Sequence, residues 1–197
     1  MEHLCSKEYP DPPSENPERG SFRRFIKDIL EIALISLFLF LSINTISTRI
    51  RVESVSMQPT LFAGNFVVVN KLSYRFGEPN RGDIIVFRYP PDPELDPYIK
   101  RVIGLPGEHV LVEDGKVYIN GVRISEPYLE TQTQQGGEWT VPQDGLFMMG
   151  DNRNNSSDSR AWGVVPLENV IGKAFMVYWP PEKWEVLSMS YAVAAEP

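Results

Sequence analysis

Reactive residues of the commonest hydrolytic kinds are scarce in this 197-residue chain. It has one cysteine, Cys5, and two histidines, His3 and His109. A single cysteine can neither close an internal disulfide nor build a thiolate cluster, so a folded domain must rest on its core. Two histidines do not supply the ligands of a hydrolytic metal centre, and neither a metal nor a cofactor is expected. Positive charge is also in the minority: 19 Lys and Arg against 26 Asp and Glu give a net charge of −7. A general nucleic-acid binder would need a basic face, so nucleic acid is not an expected partner. The nucleophile motif G-x-S-x-G is missing, and no serine lies three residues before a lysine, which removes two familiar serine-enzyme arrangements. A Ser-His-Asp triad would have to use His109, since His3 precedes the only long apolar segment. At the start of a hairpin strand after Pro106-Gly107-Glu108, His109 reads as a half-exposed structural residue.

Residues 1–21 carry Pro10, Pro12, Pro13 and Pro17 among charges and serines, and read as a disordered tail. Arg19, Arg23, Arg24 and Lys27 then precede Ile29–Thr48, which is mostly apolar. Twenty helical residues reach about 30 Å, the thickness of a hydrocarbon core. Ser36 and Ser42 are the only polar residues within 32–43, too few for the polar face of a buried soluble helix. Thr45-x-Ser47 resembles a cleavage site, but the stretch before the apolar segment is too long for a simple signal peptide. Residues 22–49 are therefore expected to be an uncleaved transmembrane anchor with a cytoplasmic N-terminus.

From residue 50 to 197 the pattern is of strands. Short β-branched or aromatic runs occur at 66–69, 83–89, 98–105, 109–113, 116–119, 122–124, 146–149 and 170–179, bounded by Gly, Pro and Asn. Asp114-Gly115 and Asn120-Gly121 are strong turn signals. Residues 125–145 and 90–97 read as excursion loops. The expected fold is mainly β: the N-terminal transmembrane helix followed by a coiled, barrel-like antiparallel sheet on the extracytoplasmic side.

With histidine and metal set aside, a serine nucleophile would need a lysine base. Ser54 and Ser56 stand two apart on an extended segment closed by Pro59, so they share a face. Lys100 lies in the apolar run Tyr98–Gly104, beside Arg101. Either its amine snorkels to solvent, or it is buried and its pKa falls from about 10.4 by roughly three units, worth about 4 kcal/mol. Burial and the adjacent arginine would both push that way. A third cluster, Gly150–Arg160, reads either as an exposed turn or as supporting polar residues, with Asp158 and Arg160 able to pair.

Four motifs occur in order: S-x-S-M-x-P-T-L at 54–61, R-G-D-I-I-V-F at 81–87, Y-I-K-R-V-I-G-L-P-G-E at 98–108 and G-D-N-R-x-N-S-x-D-S-R-x-W-G at 150–163. Together they strongly resemble the type I (leader) signal peptidases, Ser/Lys proteases of exported proteins, in their short single-anchor bacterial or plastid form. The resemblance implies Ser56 as nucleophile, Lys100 as general base, Ser54 as a donor to the oxyanion, Ser156 as a hydrogen-bond partner of the lysine amine, and Asp158 with Arg160 as a supporting ion pair. It further implies signal peptides of secreted preproteins as substrates, cut after small-x-small sites and bound as an added strand near residues 51–56 and 96–100. The bilayer is the expected surroundings and the monomer the expected state. Met57, Leu61, Phe62 and Trp184 are candidates to dip into the membrane, whereas Trp179 reads as core. A specialised processing peptidase of the same chemistry, or a non-catalytic β module binding exported chains, are the alternatives.

Overall fold

A computed structural model describes residues 17–187. The helix α1 spans Pro17–Ile46 and begins inside the stretch expected as tail, whose residues 1–16 lie outside the described part. Within it Phe22–Ile46 is long and apolar enough to cross a membrane. Its large side chains are exposed, among them Phe38 and Ile32, the surface a lipid-facing helix presents. The chain divides into two compact units between Ile43 and Asn44.

The second unit is built from strands β1 (Ser47–Arg51), β2 (Phe66–Asn70), β3 (Ile84–Phe87), β4 (Tyr98–Gly104), β5 (His109–Glu113), β6 (Lys116–Ile119), β7 (Val122–Arg123), β8 (Gly137–Thr140), β9 (Gly145–Met149), β10 (Val165–Pro166), β11 (Val170–Trp179) and β12 (Glu185–Val186), with one turn of helix, α2, at Ser159–Trp162. Eight strands form an antiparallel sheet ordered β1-β2-β11-β3-β4-β9-β10, with β12 on β11; β7-β6-β5-β8 form a second. The expected mainly β fold behind an apolar helix is what the chain adopts.

β3 shows why the sheet coils around a core. Its residues are apolar throughout, and all four are buried. Ile84 and Val86 pack with Val52, Met57, Leu61 and Val67 on one face, and Ile85 and Phe87 with Val102, Leu146 and Met148 on the other. A strand covered on both faces gains by being apolar at every position, so it shows no alternation. The hairpin β5–β6 turns through Asp114 and Gly115 at φ 47° and 76°, the left-handed pair that such two-residue connections require.

Several expectations are corrected. Residues 125–145 are not all loop: they contain β8, paired with β5 from His109↔Thr140 to Val112↔Gly137. Residues 47–49, assigned to the anchor, belong to β1 and pair with β2. Met57 and Leu61 are fully buried core residues, whereas Trp179 is 53% exposed. Burial of the first two follows from the turn after Ser56, where the Leu61 N–H bonds the Met57 carbonyl and folds both side chains inward.

Candidate active site

Two strand ends build the site. β3 pairs with β4 from Tyr98 to Arg101, but β9 pairs with the other side of β4 only from Arg101 onward. The first residues of β4 therefore have no strand on that side. Facing them runs the segment that leaves β1, residues 52–56. Between the two lies a groove of about 540 Å³, lined by residues 50–56 and 96–100 with Asn155 and Ser157.

Ser56 and Lys100 meet at this groove. Ser56 is 5% and Lys100 3% exposed. The Lys100 Nζ donates to Ser56 Oγ at 2.6 Å and to the Ile99 carbonyl at 3.0 Å. Burial pulls the amine from its ordinary 10.5 down to about 8, against the opposing pull of the Asp158 and Asp151 carboxylates. The buried alternative of the sequence is thus the observed one, and the cause differs in part from expectation. Arg101 is not the charge that depresses the lysine: alternation sends it to the other face, where its Nε and Nη2 hold Asp151 at 2.8 and 2.6 Å. Burial alone works against the proton.

Ser54 Oγ lies 3.0 Å from Ser56 Oγ, so the two hydroxyls share a side. Asp158 is fully buried and accepts from Arg160 Nη2 at 2.8 Å and from the Gly150 N–H at 3.0 Å. Burial alone would raise its carboxyl, but the Arg160 bond and charge, Gly150 and Ser156 outweigh that and hold it below the usual carboxylate range. Ser156 departs from the expected role. Its Oγ helps hold Asp158 low, yet it is buried without a well-formed hydrogen bond, and the lysine amine is drawn to Ser56 and Ile99 instead. Gly150 shows how tight the junction is. A Cβ there would lie 2.3 Å from Ser156 Oγ and 2.4 Å from the Ser56 carbonyl oxygen, so only glycine lets the loop press against the nucleophile's backbone.

Sequence reasoning missed the buried polar lattice behind these groups. Thr60 Oγ1 donates to Asp151 at 2.5 Å, and Arg101 also bonds the Gly82 carbonyl and stacks over Tyr128 at 4.0 Å. Arg153 pairs with Glu126 and reaches Thr133 at 3.1 Å, while its own carbonyl accepts from Arg160 at 2.6 Å. Thr60, Asp151 and Arg153 stood inside the motifs; no pairing could be read there because their partners lie far away in sequence. His109 sits on the second sheet with Glu138 at 2.6 Å, in the structural role expected of it. Among the described residues no cluster of His, Cys, Asp or Glu could hold a metal ion.

A lysine amine held against a serine hydroxyl at the floor of a groove is the arrangement that a Ser/Lys-type hydrolase requires. The chain matches the signal peptidase, peptidase S26 family over residues 23–179, and it belongs to that family. It is 46% identical over 155 residues to the signal peptidase I of Leptolyngbya laminosa, covering 74% of this chain and 76% of that protein. A probable signal peptidase I-2 of Synechocystis is 41% identical over 174 residues, 84% of this chain and 77% of its own length. The thylakoidal processing peptidase 1 of Arabidopsis thaliana is 39% identical over 142 residues, 67% of this chain but 42% of that protein. The chain is thus a membrane-anchored peptidase, with one N-terminal helix among the described residues long and apolar enough to cross a membrane.

Proposed function

We propose that this peptidase removes signal peptides from exported preproteins with Ser56 as nucleophile and Lys100 as general base. The observation that carries the assignment is the buried amine 2.6 Å from the Ser56 hydroxyl at the floor of the groove. When Lys100 is neutral the hydrogen bond reverses, and the Ser56 O–H donates to Nζ. Oγ then attacks the scissile carbonyl as Nζ takes the proton. The oxyanion is met by the Ser56 backbone N–H and the Ser54 hydroxyl, a pair of donors aimed where charge develops. The ammonium returns its proton to the departing amine, leaving an acyl-serine. Lys100, neutral again, deprotonates a water that releases the cleaved signal peptide.

Backbone geometry supports a substrate lying as an extra strand. The Val102 N–H bonds Asp83 and its carbonyl accepts from Gly82, both on the β3 side. Alternation turns the N–H and C=O of Ile99 to the opposite edge, toward the groove. Likewise Val52 spends its backbone groups on Asn65 and Gly64, so those of Glu53 face the other way. An extended peptide between the two edges gains main-chain bonds from both. Asp158 with Arg160, and Ser156 beside them, hold the loop that backs Ser56 and Lys100 in place.

Arg19, Arg23, Arg24 and Lys27, on the first turns of α1 ahead of its apolar stretch, support a cytoplasmic N-terminus and a catalytic domain on the far side, acting as a monomer at the lipid surface. Cleavage of a preprotein in detergent tests the chemistry. Ser56→Ala and Lys100→Ala should both abolish it, and Lys100→Arg should too, because a guanidinium keeps its proton. Normal cleavage by any of the three refutes the dyad.

A further inference from the structure

A second cavity, of about 330 Å³, lies away from the groove and is lined by Lys71, Tyr74, Arg75, Arg88, Leu167, Val170 and Ile171. Three of its walls carry positive charge and none carries a carboxylate. Among the described residues the only side-chain hydrogen bond of Lys71 runs to the Asn44 carbonyl at 2.9 Å, and no ion pair engages Arg75 or Arg88. The Tyr74 hydroxyl is already committed to Asp83, which also holds Lys173 at 2.6 Å. In a chain of net charge −7, three cations converging without acids form a site for an anion.

Position narrows the source of that anion. The Lys71 backbone N–H bonds the Ile46 carbonyl at 2.9 Å and its amine the Asn44 carbonyl. The cavity is therefore tied to the last turn of the apolar helix, where a membrane anchor meets the headgroups. Beside Arg75, Phe76 is 88% exposed, an apolar ring able to sink into the boundary between headgroups and acyl chains. We propose that Lys71, Arg75 and Arg88 form a binding site for the phosphate of an anionic lipid headgroup, which fixes the catalytic unit against the membrane surface. The proposal rests on α1 being a membrane anchor and is independent of the Ser56–Lys100 chemistry.

Native mass spectrometry of the full chain with added phosphatidylglycerol or phosphatidylcholine, together with reconstitution into nanodiscs, tests it. Recovery in discs reports the anchor separately from the cavity. Wild type should retain one phosphatidylglycerol in preference to phosphatidylcholine. Arg75→Gln and Arg88→Gln should each weaken that binding roughly fivefold, and together about 25-fold. Lys116→Gln, which removes the same charge from the distant strand β6, should not. Equal retention of the two lipids by wild type, or an equal loss in Lys116→Gln, overturns the site. Complete displacement of the lipid by millimolar inorganic phosphate assigns the cavity to a free anion and overturns the lipid assignment.

Discussion

Replacing Lys100 by methionine should make the protein inactive and more stable at neutral pH. The drop of the amine from 10.5 to about 8 corresponds to about 3 kcal/mol of penalty for keeping it charged in the fold. The lost hydrogen bonds to Ser56 and Ile99 return about 1 kcal/mol of that, and methionine fills a similar volume. The net gain of about 2 kcal/mol raises Tm by roughly 4–8 °C in a protein of this size. The pH dependence identifies the cause. The folded value lies below the unfolded one, so the unfolded chain binds more protons between them, and wild type gains stability as pH rises. The penalty is full below pH about 8 and gone above 10.5. Thermal unfolding of the full chain in detergent, for both proteins from pH 6 to pH 10, should show the methionine variant ahead at low pH and the difference shrinking above pH 8. A variant no more stable than wild type at pH 7, with a gap that does not change with pH, would mean that Lys100 carries no burial penalty.

The same titration should govern catalysis: kcat/KM for preprotein cleavage should fall about tenfold per pH unit below pH 8, while a metal chelator leaves the rate unchanged. Gly150→Ala forces a methyl against Ser156 and the Ser56 carbonyl; about 1–3 kcal/mol of stability and at least about 10²-fold in cleavage rate should be lost, read by unfolding and by kinetics. Glu126→Gln leaves the fully buried Arg153 side chain without its carboxylate, at a cost of about 3–5 kcal/mol, visible as a fall in Tm that the exposed Glu138→Gln does not share.

What could be read in the sequence was whatever depends on near neighbours or on exclusion. The strand runs, the two Gly turns and the apolar helix follow from local pattern. The want of a usable histidine pointed to a lysine, the family resemblance singled out Lys100, and the apolar residues on either side left its burial open against a solvent-exposed amine. Long-range pairings were out of reach. Arg101 stands next to Lys100 in sequence and so looked like the charge acting on it, but pleating sends neighbouring side chains to opposite faces. Its partners Thr60 and Asp151 lie 41 and 50 residues away. Glu126 and Thr133 looked like part of a polar loop because nothing local marks them as partners of Arg153. Trp179 read as core on hydrophobicity alone, yet it ends β11 at the rim of the sheet, where half its surface stays in solvent.

The early end of β9 opens one edge of β4 and so shapes which chains the enzyme can serve. An edge that reads peptide groups tolerates any side chain that does not collide with it. A helical segment cannot offer those groups, because its own turns already use them. On the proposed substrate pose, discrimination among preproteins lies in the small side chains of the cut site and in how readily each chain unwinds there, and a single enzyme can process many sequences that are otherwise unrelated.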